Sequence, residues 1–204
     1  MKSTLIYVHD PMCSWCWGFE PVRAQLFDAI SSSMNIRTLV GGLAADSDEP
    51  MPAGMQASLK KTWEHIQQVI PGTQFNFSFW TDCAPRRSTY PSNRAVIAAR
   101  EQGEKFDPLM ISAIQQAYYL HAKNPADNDT LVGLASDIGL DTEQFSTSLT
   151  SAETDQKLIE EIQTARSIGA DSFPSLIVET GTNLRPIMLN YTDVGVMVEQ
   201  INAS

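Results

Sequence analysis

The chain has 204 residues, 43% of them hydrophobic and 19% charged, which suffices for a real core without disulfide staples. Fourteen Lys and Arg against 24 Asp and Glu give a formal net charge of −10, a surface that repels polyanions and argues against nucleic acid and anionic membrane as partners. No apolar run approaches the roughly 20 residues of a spanning helix or the roughly 7 to 15 of a signal h-region, so a cytoplasmic chain is expected.

In chain order, Thr4 to His9 is β-branched and apolar and predicts a buried strand, ended by Asp10-Pro11. Cys13-Ser-Trp-Cys16 follows. Phe19, Val22, Leu26 and Ile30 then step along one helical face, with Pro21 inside it and a kink expected there. Asn35 to Val40 predicts a second strand ending at Gly41-Gly42, and a strand-helix-strand unit of this length is the usual parallel crossover.

From Pro50 to about Arg166 helical period dominates, with one short strand expected at Gln74 to Trp80. Met55, Leu59, Trp63, Ile66 and Ile70 share a face that stops at Pro71-Gly72, and Asn93 is a candidate cap for a helix through Ala95, Val96 and Ala99. Further helices are expected over Phe106 to Lys123, Asp129 to Ile138, Asp141 to Leu149 and Ala152 to Ile168. Ser175 to Glu179 and Leu184 to Leu189 predict a hairpin, after which Thr192 can cap a closing helix. An α/β head, a helical middle and a ββα tail predict one sheet interrupted by an insertion.

Cys13 and Cys16 stand where a strand gives way to a helix, and that placement carries more than the CxxC spacing. The unpaired N–H groups and positive dipole end of a first helical turn stabilise a thiolate, so Cys13 is a candidate nucleophile near neutral pH. Cys16, one turn on, is placed to resolve a mixed disulfide. Two alternatives stay open on the residues alone: buried small thiols among Met12, Trp15 and Trp17, or half of a zinc site completed by His9 and Cys83.

The remaining candidates are bland. His9 either tunes Cys13 or is a strand-end histidine satisfied by backbone. His65 and His121 lack ligand partners at helical spacing and read as solvated or packing residues. Arg86, Arg87, Arg94 and Arg100 read as surface ion-pair residues, with carboxylates of a thiol tripeptide as the alternative ligand. Cys83, alone in a polar loop, reads as inert, with a third redox thiol as the alternative.

The stretch Asp10-Pro-Met-Cys-Ser-Trp-Cys-Trp-Gly-Phe19 resembles the active-site segment of the DsbA-like thiol-disulfide oxidoreductases of the thioredoxin superfamily, and among them the cytoplasmic branch related to FrnE. Ala117 to His121, Asp129, Leu131, Leu134, Ala135, Gly139 to Asp141 and Phe145 are similar to the family's insertion helices, and Gly169 to Pro174 to its segment before the third strand. The resemblance implies an α/β, thioredoxin-like fold with an inserted all-helical domain: residues 1–50 and 167–204 as the thioredoxin-like domain, 51–166 as the insertion. It implies that Cys13 and Cys16 are catalytic, that Pro174 is the cis-proline against the sulfurs, and that Phe173 faces substrate.

Two departures modify what it implies. Family members often place a buried acid six residues before the first cysteine; here that position is Tyr7, so the proton relay differs or uses water. Ser14-Trp15 stands where strongly oxidising members have Pro-His, so no imidazolium supports the thiolate and a less oxidising couple is expected.

The expected function is disulfide exchange, as reductase or isomerase, on protein or small-molecule thiols and disulfides. Ser14 is expected to donate a hydrogen bond to the thiolate, and Trp15 to supply an apolar rim for an unfolded substrate. No metal or organic cofactor is expected; electrons come from glutathione or another thiol system. The alternative on the same fold is a kappa-type, glutathione-dependent transferase or isomerase, which has no use for Cys16. A non-catalytic binding module or chaperone is a third reading.

Overall fold

β1 (Thr4–His9) and β2 (Asn35–Val40) pair in parallel, joined by α1 (Ser14–Ile30), in a computed structural model that describes residues 2–203. β3 (Ser175–Thr180) runs antiparallel on the other side of β1 and turns at Gly181, whose φ is +62°, into β4 (Asn183–Ile187). The sheet order is therefore β2-β1-β3-β4. Between β2 and β3 the chain makes α2 (Ala53–Val69), α3 (Phe79–Asp82), α4 (Tyr90–Glu101), α5 (Phe106–Tyr119), α6 (Asn128–Asp137), α7 (Thr142–Leu149) and α8 (Ala152–Ser167). The closing helix is α9 (Val194–Asn202).

Alternation along the strands assigns the two faces of the sheet. Leu5, Tyr7, Leu176 and Val178 pack on Phe19, Val22 and Leu26 of α1 and on Met197 and Ile201 of α9. Ile6, Val8, Leu39 and Ile177 pack on Ala165 of α8 and on Ala170. The inserted helices close their own core around Ala95–Ala99, Met110, Ile114, Leu131, Phe145, Leu158 and Ile162. Helix α8 thus belongs to two cores: Leu158 and Ile162 face the insertion, and Ala165 faces the sheet. Truncating Phe19, which is fully buried, costs about 3–5 kcal/mol by the usual cavity penalty.

Both sheet edges are blunted. At the outer edge of β2 the Val40 N–H donates to Glu161 Oε2 at 2.8 Å. On the other side, β4 is only five residues long and carries Pro186 opposite Ile177.

Four local expectations are corrected. Gln74 to Trp80 is not a strand: Gln74 to Ser78 is a loop and Phe79 and Trp80 open α3, and the Asn76 N–H donates to Tyr119 O at 2.7 Å and its side chain to Leu120 O at 3.1 Å, so this backbone pairs with the end of α5. Helix α5 ends at Tyr119, short of the expected Lys123, and Ala122 just beyond it takes a φ of +50°. Asn93 lies buried within α4 instead of capping it, and Asp193 rather than Thr192 caps α9, accepting from Gly195 N–H at 2.8 Å. Helix α1 runs through Pro21 from Ser14 to Ile30.

Candidate active site

The turn after β1 sets the cysteine pair. Cys13 N–H donates to Asp10 O at 3.0 Å, and Cys13 is the N-cap of α1 with extended backbone, φ −80° and ψ 117°. Its own carbonyl accepts the first helical bond, from Trp17 N–H at 3.1 Å. Cys13 keeps 7% exposure and Cys16 none. A hydrogen bond from the Cys16 thiol, joined by backbone amides of Cys16 and Trp15, holds the Cys13 thiol below the ordinary range, against burial and the Asp10 charge. Burial pushes Cys16 well up, and an ionised Cys13 pushes it further. The two thiols are thus split, one lowered and the other raised.

The segment before β3 closes over Cys13. The Phe173-Pro174 bond is cis, and the Cys13 thiol donates to Phe173 O at 3.3 Å. The Phe173 ring fills space above Gly41, where a Cβ would lie 2.1 Å from the ring, so only glycine ends β2 without displacing it. Pro174 is buried and Phe173 half-buried.

Ser14 and Trp15 part company. Ser14 is 8% exposed and its oxygen accepts from Trp63 Nε1 at 2.9 Å; among the described residues no hydrogen bond joins it to Cys13, contrary to expectation. The indole of α2, a buried donor, takes the Ser14 oxygen as its acceptor. Trp15 is half-buried and packs edge-on against Tyr191 at 5.4 Å and His65 at 5.9 Å, an aromatic rim beside the pair.

The other singled-out residues lie apart. Cys83 donates to Ala122 O at 2.9 Å, and burial with the Asp127 and Asp82 charges raises its thiol. Arg86 pairs with Asp127, Arg94 with Asp46 and Asp155, and Arg100 with Asp107 and Glu161. His9 stacks on Tyr7 at 5.1 Å, and burial, with Arg23 and Arg100, lowers its pKa to about 3, so the imidazole is neutral. One residue was given no functional role from the sequence. Asp10, read there only as a strand terminator, is fully buried and accepts four hydrogen bonds. The signal was an acid inside an apolar stretch three residues before a cysteine.

No helix among the described residues is long and apolar enough to cross a membrane. A sequence profile described as Thioredoxin matches residues 6–193, and the chain belongs to that family. Its fold matches a Nitrosomonas europaea protein assigned provisionally as a protein disulfide isomerase, at 28% identity and a TM-score of 0.85, covering 99% of this chain and 97% of that one. The cytosolic disulfide reductase DsbM of Pseudomonas aeruginosa, solved alone and with GSH, shares the DsbA-like fold. Alone, it has a TM-score of 0.75 and 23% identity, covering 98% of this chain and 93% of that one. The ClpXP adapter protein SpxH of Halalkalibacterium halodurans is 26% identical over 172 residues, 82% of this chain and 56% of that protein. The chain thus spans little more than half the length of this curated relative.

Proposed function

We propose that this member of the thioredoxin family is a cytoplasmic thiol-disulfide oxidoreductase, working as reductase or isomerase, with Cys13 as nucleophile and Cys16 as resolving thiol. The observation that carries the reading is Cys13 at the N-cap of α1, its sulfur 3.3 Å from Phe173 O, with the fully buried Cys16 one turn below. The Cys13 thiolate attacks one sulfur of a substrate disulfide, forming a mixed disulfide and releasing a substrate thiolate that takes up a proton. Cys16 then loses its proton and attacks Cys13 sulfur, releasing the second substrate thiol and leaving a Cys13–Cys16 disulfide. Substrate has gained two electrons and the protein has lost two. Two thiols, glutathione being the candidate source, return them and become a disulfide.

Phe173 and Pro174 present backbone to an extended substrate, and Trp15 with Tyr191 and His65 forms the apolar rim. The helical insertion, residues 51–166, supplies His65 to that rim and holds Ser14 through Trp63, which makes Ser14 a support for the turn. Cys16→Ala tests the reading: the first attack survives and the resolving attack is lost, so mixed disulfides with glutathione or protein accumulate on Cys13. Equal trapping by Cys13→Ala overturns it.

The likeness to the adapter SpxH favours a second reading, a binding role in protein turnover. That role predicts partner binding undiminished when both cysteines become Ala. The kappa-type alternative predicts that Cys16→Ala retains full glutathione-dependent activity.

A further inference from the structure

We infer that Asp10 is a positioning residue, a buried charge without a counter-ion that ties the cysteine turn to the helical insertion and sets how readily Cys13 gives up its proton. The inference rests on the reading of Cys13 as the attacking thiolate.

The geometry leaves little freedom to this carboxylate. Oδ1 accepts from Met12 N–H at 2.8 Å; Oδ2 accepts from Leu43 N–H at 2.8 Å, the Thr89 hydroxyl at 2.7 Å and the Asn93 amide at 2.8 Å. The Met12 and Leu43 amides and the Asn93 side-chain nitrogen can only donate, so these bonds favour the ionised carboxylate against the burial that raises its pKa. Its partners lie on the cysteine turn, on the loop after β2 and at the start of α4, so one side chain fixes three segments. Its backbone oxygen also holds Cys13 N–H.

Among the described residues no Lys or Arg pairs with Asp10. The other titratable groups around the thiols are neutral or already paired. Burial keeps Tyr7 on β1, Tyr119 on α5 and Tyr191 before α9 protonated, and His9 is neutral. Arg23 of α1 pairs with Glu20, and Arg100 of α4 with Asp107 and Glu161. The Asp10 charge therefore acts uncancelled and opposes ionisation of both cysteines. Cys13 sits between the Cys16 thiol and helix amides, which favour its thiolate, and burial and a carboxylate, which restrain it.

The redox consequence follows from the balance. Two glutathione thiols and the Cys13–Cys16 disulfide give two protein thiols and glutathione disulfide. Stabilising the thiolate among the products makes the protein disulfide a stronger oxidant. Asp10, by restraining that thiolate, keeps the couple on the reducing side.

The test follows Cys13 alkylation by iodoacetamide against pH in the full chain carrying Cys83→Ser. Asp10→Asn and the smaller Asp10→Ser are expected to lower the apparent Cys13 pKa, giving roughly tenfold more thiolate at a given pH, the size of one lost charge interaction at an effective dielectric of about 20. The equilibrium with glutathione moves toward the protein dithiol by a similar factor. Thr89→Val removes one tether and keeps the charge, and is expected to leave the profile in place. Neutral variants whose profile stays put or rises overturn the inference, and so does a common shift of all three, which would mark loosened structure. A parent protein whose Cys13 does not ionise below about 8.5 instead defeats the underlying reading of Cys13 itself.

Discussion

Cys13 and Cys83 are the same residue at opposite ends of helices. Cys13 caps the N-terminus of the 17-residue α1, where the Cys16 thiol, with the backbone amides of Cys16 and Trp15, lowers its pKa. Cys83 caps the C-terminus of the four-residue α3, where the exposed polar groups are carbonyls; its thiol donates to Ala122 O, and Asp127 and Asp82 add to the burial that raises it. The surroundings of each sulfur, not its identity, set the direction in which its pKa moves. Exposure alone would give the opposite order, since the less exposed Cys13 is the one whose pKa is lowered.

The largest effect separates the two directly. Cys13→Ser is expected to take turnover of a protein disulfide to background, a loss of about three decades or more, while Cys83→Ser stays within about twofold. Comparable losses from both would end the contrast.

Acid should sharpen it next. His9, beside the cysteine turn, has a folded pKa of about 3 against 6.5 in the open chain. The unfolded chain therefore binds more protons in this window, so the His9 contribution is complete above pH 6.5 and is lost as pH falls toward 3. The slope is about 1.4 kcal/mol per pH unit. Asp10, raised by burial, works with the opposite sign. His9→Phe, which keeps the stack on Tyr7, isolates the first effect: urea unfolding between pH 7 and 5 should lose this slope in the variant. An unchanged profile would mean that His9 is not held neutral.

The smallest effect is at Trp63, which touches both regions. Its indole N–H donates to Ser14, next to Cys13, and its ring lies 4.9 Å from Trp80 in the helix that carries Cys83. Trp63→Phe removes the hydrogen bond and keeps an aromatic ring, at a cost of about 1–3 kcal/mol. It should alter the Cys13 alkylation rate more than that of Cys83, and the reverse order would place the bond's influence elsewhere.

The sheet was legible because local pattern and tertiary role agree there. The run Leu5 to Val8 fills both faces of a central strand, and the steps from Phe19 to Ile30 are the core face of α1. The loop from Gln74 to Trp80 was not, because its alternating aromatics imitate a strand while their rings gather around Trp63. Cys13, Phe173 and Pro174 came together as the family resemblance implied. Ser14 was misread because its partner lies 49 residues away, and Asp10 was overlooked because three of its donors lie 33, 79 and 83 residues away. Periodicity has no means of registering such partners.

The blunted sheet edges bear on how such a protein survives its work. An unpaired strand edge is a template on which another extended chain can lay down hydrogen bonds, and repetition of that step builds insoluble stacks. A protein that handles partly folded chains meets extended segments constantly. Glu161 occupies a donor on one flank of the sheet, and Pro186 deprives the short strand on the other flank of one. Under the proposed function, visiting chains are thereby steered away from the flanks, where pairing would be indiscriminate and cumulative, and the backbone around Phe173 is left as the place to dock and depart.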